Sequence, residues 1–181
     1  KYLFYQRRKK CNRFNFAMSK LGYIYIMCVA VAMMVASCTK ISDNQLPQVP
    51  VNINLSKAGY WQTYGVVAPG AYRMFVKNER IPSNYPYNAN TYTGYGGVLL
   101  VCDIYTANPM AYDLSCPVER RPDVRVSIDG NSYDAVCGSC GSHYDVMGGW
   151  GTPLSGKAFT QKVGMNRYNV VKTGSGYNIV N

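Results

Sequence analysis

The chain has 181 residues and a formal charge of +10, a balance that would fit a polyanionic partner if the charge were spread over a folded surface. It is not: seven of the nineteen Lys and Arg residues precede residue 21, and from residue 38 onward twelve basic residues face nine acidic ones. No basic cluster interleaved with aromatics remains, which excludes nucleic-acid binding as a reading of the composition.

The basic start leads into Leu21–Ala36, an uncharged run rich in Ile, Val, Met and Ala. It is shorter than the roughly 20 residues that span a bilayer core and has the proportions of the apolar section of a signal peptide. Val35-Ala36-Ser37-Cys38 then resembles a bacterial lipobox, with Cys38 as the lipid-bearing residue. An uncleaved anchor with an incidental cysteine is the alternative. Met18 is a sensible start, so residues 1–37 are expected to be an upstream extension and a lipoprotein signal peptide. Residues 38–50 would be a lipidated tether, and residues 51–181 one domain. The expectation is an exported bacterial lipoprotein, anchored to a membrane through Cys38 and facing the periplasm or the cell exterior, where free thiols become oxidised or bind metal.

No long helical periodicity appears in the remainder; short apolar and aromatic runs punctuated by Gly, Pro, Asn and Asp predict an all-β domain. Val51–Leu55 alternates as a half-buried strand, and Ala71–Val76 and Gly97–Ile104 read as further strands. Residues 83–97, rich in Tyr, Asn and Gly, read as a surface loop. Met110–Leu114 leads directly into Cys116. Val124–Ile128, an Asp129-Gly130 turn with easy access to positive φ, and Ser132–Val136 predict a hairpin ending at Cys137. Its antiparallel strands bring the loops of Cys116 and Cys137 to one end. Tyr144, Tyr168–Lys172 and Tyr177–Val180 complete the sheet. Cys102, between Val101 and Ile104, reads as a small buried hydrophobe.

Cys116-Pro117-Val118-Glu119 and Cys137-Gly138-Ser139-Cys140-Gly141-Ser142-His143-Tyr144-Asp145, followed by Gly151-Thr152-Pro153, resemble the two cluster loops and the Gly-Pro loop of the Rieske iron–sulfur family. The match covers roughly residues 95–180, and it extends to exported Rieske-like lipoproteins in which Cys-Pro-x-Glu forms the first loop. The resemblance implies a Rieske-like antiparallel β-sandwich with a two-loop cluster-binding subdomain, a [2Fe–2S] cofactor and one-electron transfer to an unidentified redox or envelope protein. The family's two histidine positions hold Val118 and Cys140, and His143 is the only histidine in the chain.

Three readings of the site therefore stand side by side. Cys116, Cys137 and Cys140 hold a cluster with Glu119 or His143 as fourth donor; or they hold zinc as a Cys3His set with His143; or no cofactor binds and a disulfide from Cys116 to Cys137 or Cys140 closes a binding or structural module of the envelope. A thioredoxin-like redox pair at Cys137 and Cys140 would need a helix start, which Gly141-Ser142 does not resemble. The carboxylates of Asp113, Asp123, Asp129, Asp134 and Asp145 fall at turns and strand ends, where solvated carboxylates are ordinary. Trp150 is either a cover for the site or a packed core aromatic. Neither an oxygenase module nor a second cofactor site is present, so the chain is not expected to be an enzyme by itself.

Overall fold

A computed structural model of the chain describes residues 46–181. The expected signal peptide and the lipidation site Cys38 lie outside these residues. No helix among the described residues is long and apolar enough to cross a membrane.

The domain is all-β. Its eleven strands are β1 (Val51–Asn54), β2 (Tyr72–Phe75), β3 (Tyr92–Thr93), β4 (Val98–Cys102), β5 (Pro109–Asp113), β6 (Val126–Ile128), β7 (Ala135–Cys137), β8 (His143–Asp145), β9 (Thr152–Ser155), β10 (Arg167–Thr173) and β11 (Gly176–Val180). Two short helices, α1 (Tyr60–Tyr64) and α2 (Gly156–Gln161), complete it. Both are too short to show a helical period in the sequence.

The strands form a seven-stranded sheet in the order β2-β4-β5-β10-β11-β1-β3 and a four-stranded sheet in the order β6-β7-β8-β9. Every pairing is antiparallel. β5 and β10 are neighbours in space, yet the whole small sheet lies between them in sequence. It is an excursion that leaves the large sheet after β5 and returns one strand away. The cysteine loops belong to this excursion.

β4 explains how the two halves are joined. All five of its residues are buried, so both faces of this central strand are covered. Side chains alternate across a strand. Val98, Leu100 and Cys102 accordingly pack with Ile53, Phe75, Tyr85 and Ile179 inside the curl of the large sheet. Leu99 and Val101 face the other way, into a second core with Tyr112, Leu114, Val126, Cys116, Cys137 and Tyr144. Each fully buried aliphatic side chain contributes about 1.5–3 kcal/mol relative to exposure.

The segment read as a surface loop is more structured than its composition suggested. Tyr92 and Thr93 pair with β1, and Tyr85 is buried against Phe75 in an edge-to-face contact, its ring centroid 5.3 Å away. Tyr-rich composition hid an aromatic that belongs to the core. The chain before β1 is also tied down, because the Asn181 side chain donates to the Val49 carbonyl and accepts from the Val51 N–H.

Asp113 corrects a second expectation. It is fully buried, not solvated, and accepts hydrogen bonds from the N–H groups of Tyr95, Gly96 and Ser115 and from the Tyr168 hydroxyl. A buried carboxylate persists only with such compensation. These four donors fix the end of β5, from which the first cysteine loop departs.

Candidate metal centre

Strand pairing delivers the cysteines to one place. Ser115 bridges Arg125, the Cys116 N–H bonds the Val124 carbonyl, and Val126 pairs with Cys137 across the hairpin. The connecting turn differs from expectation in one detail: the left-handed residue is Tyr133, at φ 61°, not Gly130. Asp129 explains it, since its carboxylate accepts the Asn131 N–H and its carbonyl the Tyr133 N–H, which delays the reversal to residue 133.

The sulfur atoms of Cys116, Cys137 and Cys140 all lie within 4.8 Å of one another. Cys116 and Cys140 are 3.6 Å apart, well beyond an S–S bond of about 2.05 Å, and all three are thiols. Cys116 and Cys137 are buried; Cys140 is half-buried beside exposed Gly138, Ser139 and Gly141. The fourth cysteine of the domain, Cys102, is buried on the opposite face of β4, as its apolar neighbours implied.

Each loop is a turn of the same kind. The Cys116 carbonyl accepts the Arg120 N–H at 2.9 Å, and the Cys137 carbonyl accepts the Gly141 N–H at 2.9 Å. The closing residue is left-handed in both, with φ 53° at Arg120 and 67° at Gly141. Gly141 takes that conformation without the strain that Arg120 bears, and space is not the reason for it, because a Cβ there would meet nothing within 4 Å. Gly156 is needed for space: a Cβ on it would lie 2.8 Å from the Ser142 Cα, so its absence lets α2 close on the second loop.

The sulfurs are surrounded by hydrogen-bonding groups. Cys116 lies 3.5 Å from the Tyr144 hydroxyl, and backbone groups of Val118 and Glu119 are also directed at it. Burial nonetheless pushes its thiol up to about 12, with those contacts acting against the rise. At Cys140 burial acts in the same upward sense, but bonds from the Ser142 hydroxyl and backbone and from the other two cysteines outweigh it and hold this thiol below its ordinary value. Ser142 is buried, and its oxygen accepts both the Cys140 thiol, at 3.1 Å, and the Ala158 N–H of α2, which leaves its own O–H free to turn once Cys140 ionises. A Cys140 thiolate would receive that O–H, which is why the contact lowers the thiol's pKa. Burial, reinforced by Cys116, likewise raises Tyr144 well above the ordinary phenol range and keeps its O–H in place. A cation among the sulfurs would reverse the cost of ionising Cys116, because a coordinating thiol is deprotonated outright.

The remaining candidates fall outside this group. On β8 the Tyr144 ring faces the core while neighbouring His143 faces away, its Nδ1 3.5 Å from an Asp134 carboxylate oxygen. The Cys3His set is therefore not assembled. Glu119 is half-buried beside the loop, and its carboxylate is not within the sulfur group. Arg121, next in the chain to Arg120, pairs with Asp123 at 2.5 Å. Trp150 neither covers the site nor packs in the core: it is 64% exposed, with the Arg167 guanidinium 4.9 Å over its ring. Trp150 and Arg167 line a groove of about 580 Å³ to which none of the three cysteines contributes.

The donor set tests the cofactor directly. A [2Fe–2S] cluster of the Rieske kind needs four protein ligands, two on each iron. Among the described residues only three donors converge, and Val118, in the first histidine position, packs its apolar side chain against the same core. These residues as arranged fit a metal ion held by thiolates; they do not complete the two-histidine cluster.

The Rieske pattern implies a hydrogen bond from Ser142 toward the site, and Ser142 does lie against Cys140; the contact of the Tyr144 hydroxyl with Cys116 was not legible, Tyr144 being read only as part of the sheet. No family model matches the chain, and no curated protein and no solved structure matches it either.

Proposed function

We propose that this chain is a Rieske-like, membrane-tethered metal protein in which Cys116, Cys137 and Cys140 hold iron and pass one electron at a time between envelope partners. The observation that carries the reading is the convergence of three thiols from two loops to within 4.8 Å, each loop closed by the same turn. The order of the loops in the sequence supports a Rieske-like origin for the frame, and Cys38 supplies the tether in this reading. Hydrogen bonds from Tyr144, Ser142 and the backbone would spread the negative charge of the thiolates and so raise the potential relative to bare sulfur ligation. The half-exposed Cys140 brings the centre to the surface, where a partner protein can approach.

Iron analysis, visible absorption and thiol titration of the purified protein test this together. Stoichiometric iron with sulfur-to-iron absorption that bleaches on one-electron reduction is the expected result. A colourless, iron-free protein defeats it.

One observation favours a second reading. The Cys116 and Cys140 sulfurs are close enough that a small side-chain rotation would join them. In an oxidising compartment that bridge would stabilise the domain by about 3 kcal/mol in the chain-entropy model. The protein would then be a cofactor-free envelope module, identified by a Cys116–Cys140 peptide, with Cys102 and Cys137 left as the free thiols among the described residues.

A further inference from the structure

We infer that the two loops take a single metal ion, not a two-iron cluster, and that Glu119 is its fourth ligand. The inference rests on reading the three cysteines as metal ligands, and adds the nuclearity and the missing donor.

Spacing speaks for one ion. With metal–sulfur bonds of about 2.3 Å, a tetrahedral ion sets its sulfurs about 3.8 Å apart. Cys116 and Cys140 are 3.6 Å apart, and no pair in the triad exceeds 4.8 Å. In a two-iron cluster at most two of three cysteines share an iron, and the third stands beyond the sulfide bridge, farther away. Cys137 and Cys140 are moreover three residues apart in one tight turn, the spacing with which paired cysteines chelate one ion.

The likeness of the loops identifies the fourth donor. In both, the residue four after the leading cysteine is left-handed and donates its N–H back to that cysteine's carbonyl. Superposing the turns by position sets Cys116 on Cys137 and Glu119 on Cys140. Cys140 contributes its sulfur from three residues after the leading cysteine of its turn; Glu119 occupies the same place in the other. Its backbone already borders the Cys116 sulfur, and its side chain is half-buried and in none of the ion pairs formed among the described residues. Glu119 thus stands at the loop position from which Cys140 delivers its sulfur, and its carboxylate would be the fourth donor. Among the described residues, the other candidates for a fourth donor are turned away or apolar. His143 is on the opposite face of β8 with Asp134, and Val118 is apolar. The Tyr144 hydroxyl, 3.5 Å from Cys116, must donate once that sulfur is a thiolate, because a metal-bound thiolate can only accept.

The test titrates Co²⁺ alone into the full chain, reduced with a non-thiol reductant under anaerobic conditions. We expect saturation at one ion per chain with the visible bands of tetrahedral Co²⁺. Glu119→Gln should shift those bands and weaken binding by about 10- to 100-fold or more, since even an outer-shell partner is worth that much. Glu119→Cys should keep one ion and intensify the sulfur-to-cobalt absorption. Equal urea midpoints for the metal-free parent and Glu119→Gln would show that the loss is not a folding defect. Unchanged affinity and spectrum in Glu119→Gln would overturn the assignment of Glu119. Two irons and two labile sulfides per chain after anaerobic reconstitution with Fe²⁺ and sulfide would overturn the single ion while leaving the metal centre standing. No binding of Co²⁺ or iron by the reduced chain would overturn both.

Discussion

Cys102 and the three loop cysteines are the same side chain in two surroundings. Cys102 lies on β4, its thiol 2% exposed among aliphatic and aromatic neighbours, and burial raises it above its ordinary value, with Asp103 adding to the rise. Cys116, also buried, has the Tyr144 hydroxyl, backbone groups of its own loop and a second sulfur within reach. The difference teaches that burial alone makes a cysteine a hydrophobe. What makes it a candidate ligand is a loop that turns polar groups and further sulfurs toward it, which a regular strand does not do because its N–H and C=O groups are spent on its neighbours.

The sharpest way to break that comparison is to remove one loop sulfur. Cys140→Ala should abolish metal binding altogether, read by metal analysis after dialysis, and an ion that persists at full stoichiometry would mean that the triad is not the site. Next in size is Asp113→Ala, which strands three N–H groups and the Tyr168 hydroxyl at the root of the first loop. A loss of about 3 kcal/mol or more is expected from the urea midpoint. Cys102→Ser should cost about 1–3 kcal/mol for a hydroxyl in an apolar core and leave the metal content unchanged. Equal metal loss in Cys102→Ser and Cys140→Ala would erase the distinction between the two environments. The smallest effect is expected for His143→Ala: a stability change of up to about 1 kcal/mol for a partly exposed pair, with metal content and absorption as in the parent. Metal loss there would restore histidine as a ligand.

Much of the fold was legible in the sequence because alternation survives where one face of a strand is buried. β1 and the hairpin before Cys137 follow it. Tyr85 and Asp113 did not show themselves: an aromatic in a polar stretch and a carboxylate at a strand end look solvated until the neighbouring strand covers them. Trp150 misled in the opposite sense. Large aromatics favour burial, but Gly151 passes so close to Met165 and Tyr112 that a Cβ there would come within 2.9 Å of both, and Trp150 ahead of it takes φ 61° and is left outside.

At the site, the resemblance to the Rieske loops singled out Cys116, Cys137 and Cys140, and the hairpin between the two loops allowed their ends to meet. The exclusion of His143 needed the strand: it is three residues from Cys140, close along the chain, yet β8 turns it to the far face. The common turn of the two loops, which matches Glu119 with Cys140, is a fact of backbone hydrogen bonds and φ angles and left no trace in residue identity, because Arg120 and Gly141 close the same turn with different side chains. The sequence by itself determined that this is an all-β domain carrying three cysteines in two loops. Only the tertiary structure decided which side chains face those sulfurs, because direction at a site comes from strand pairing and turn geometry and not from distance along the chain.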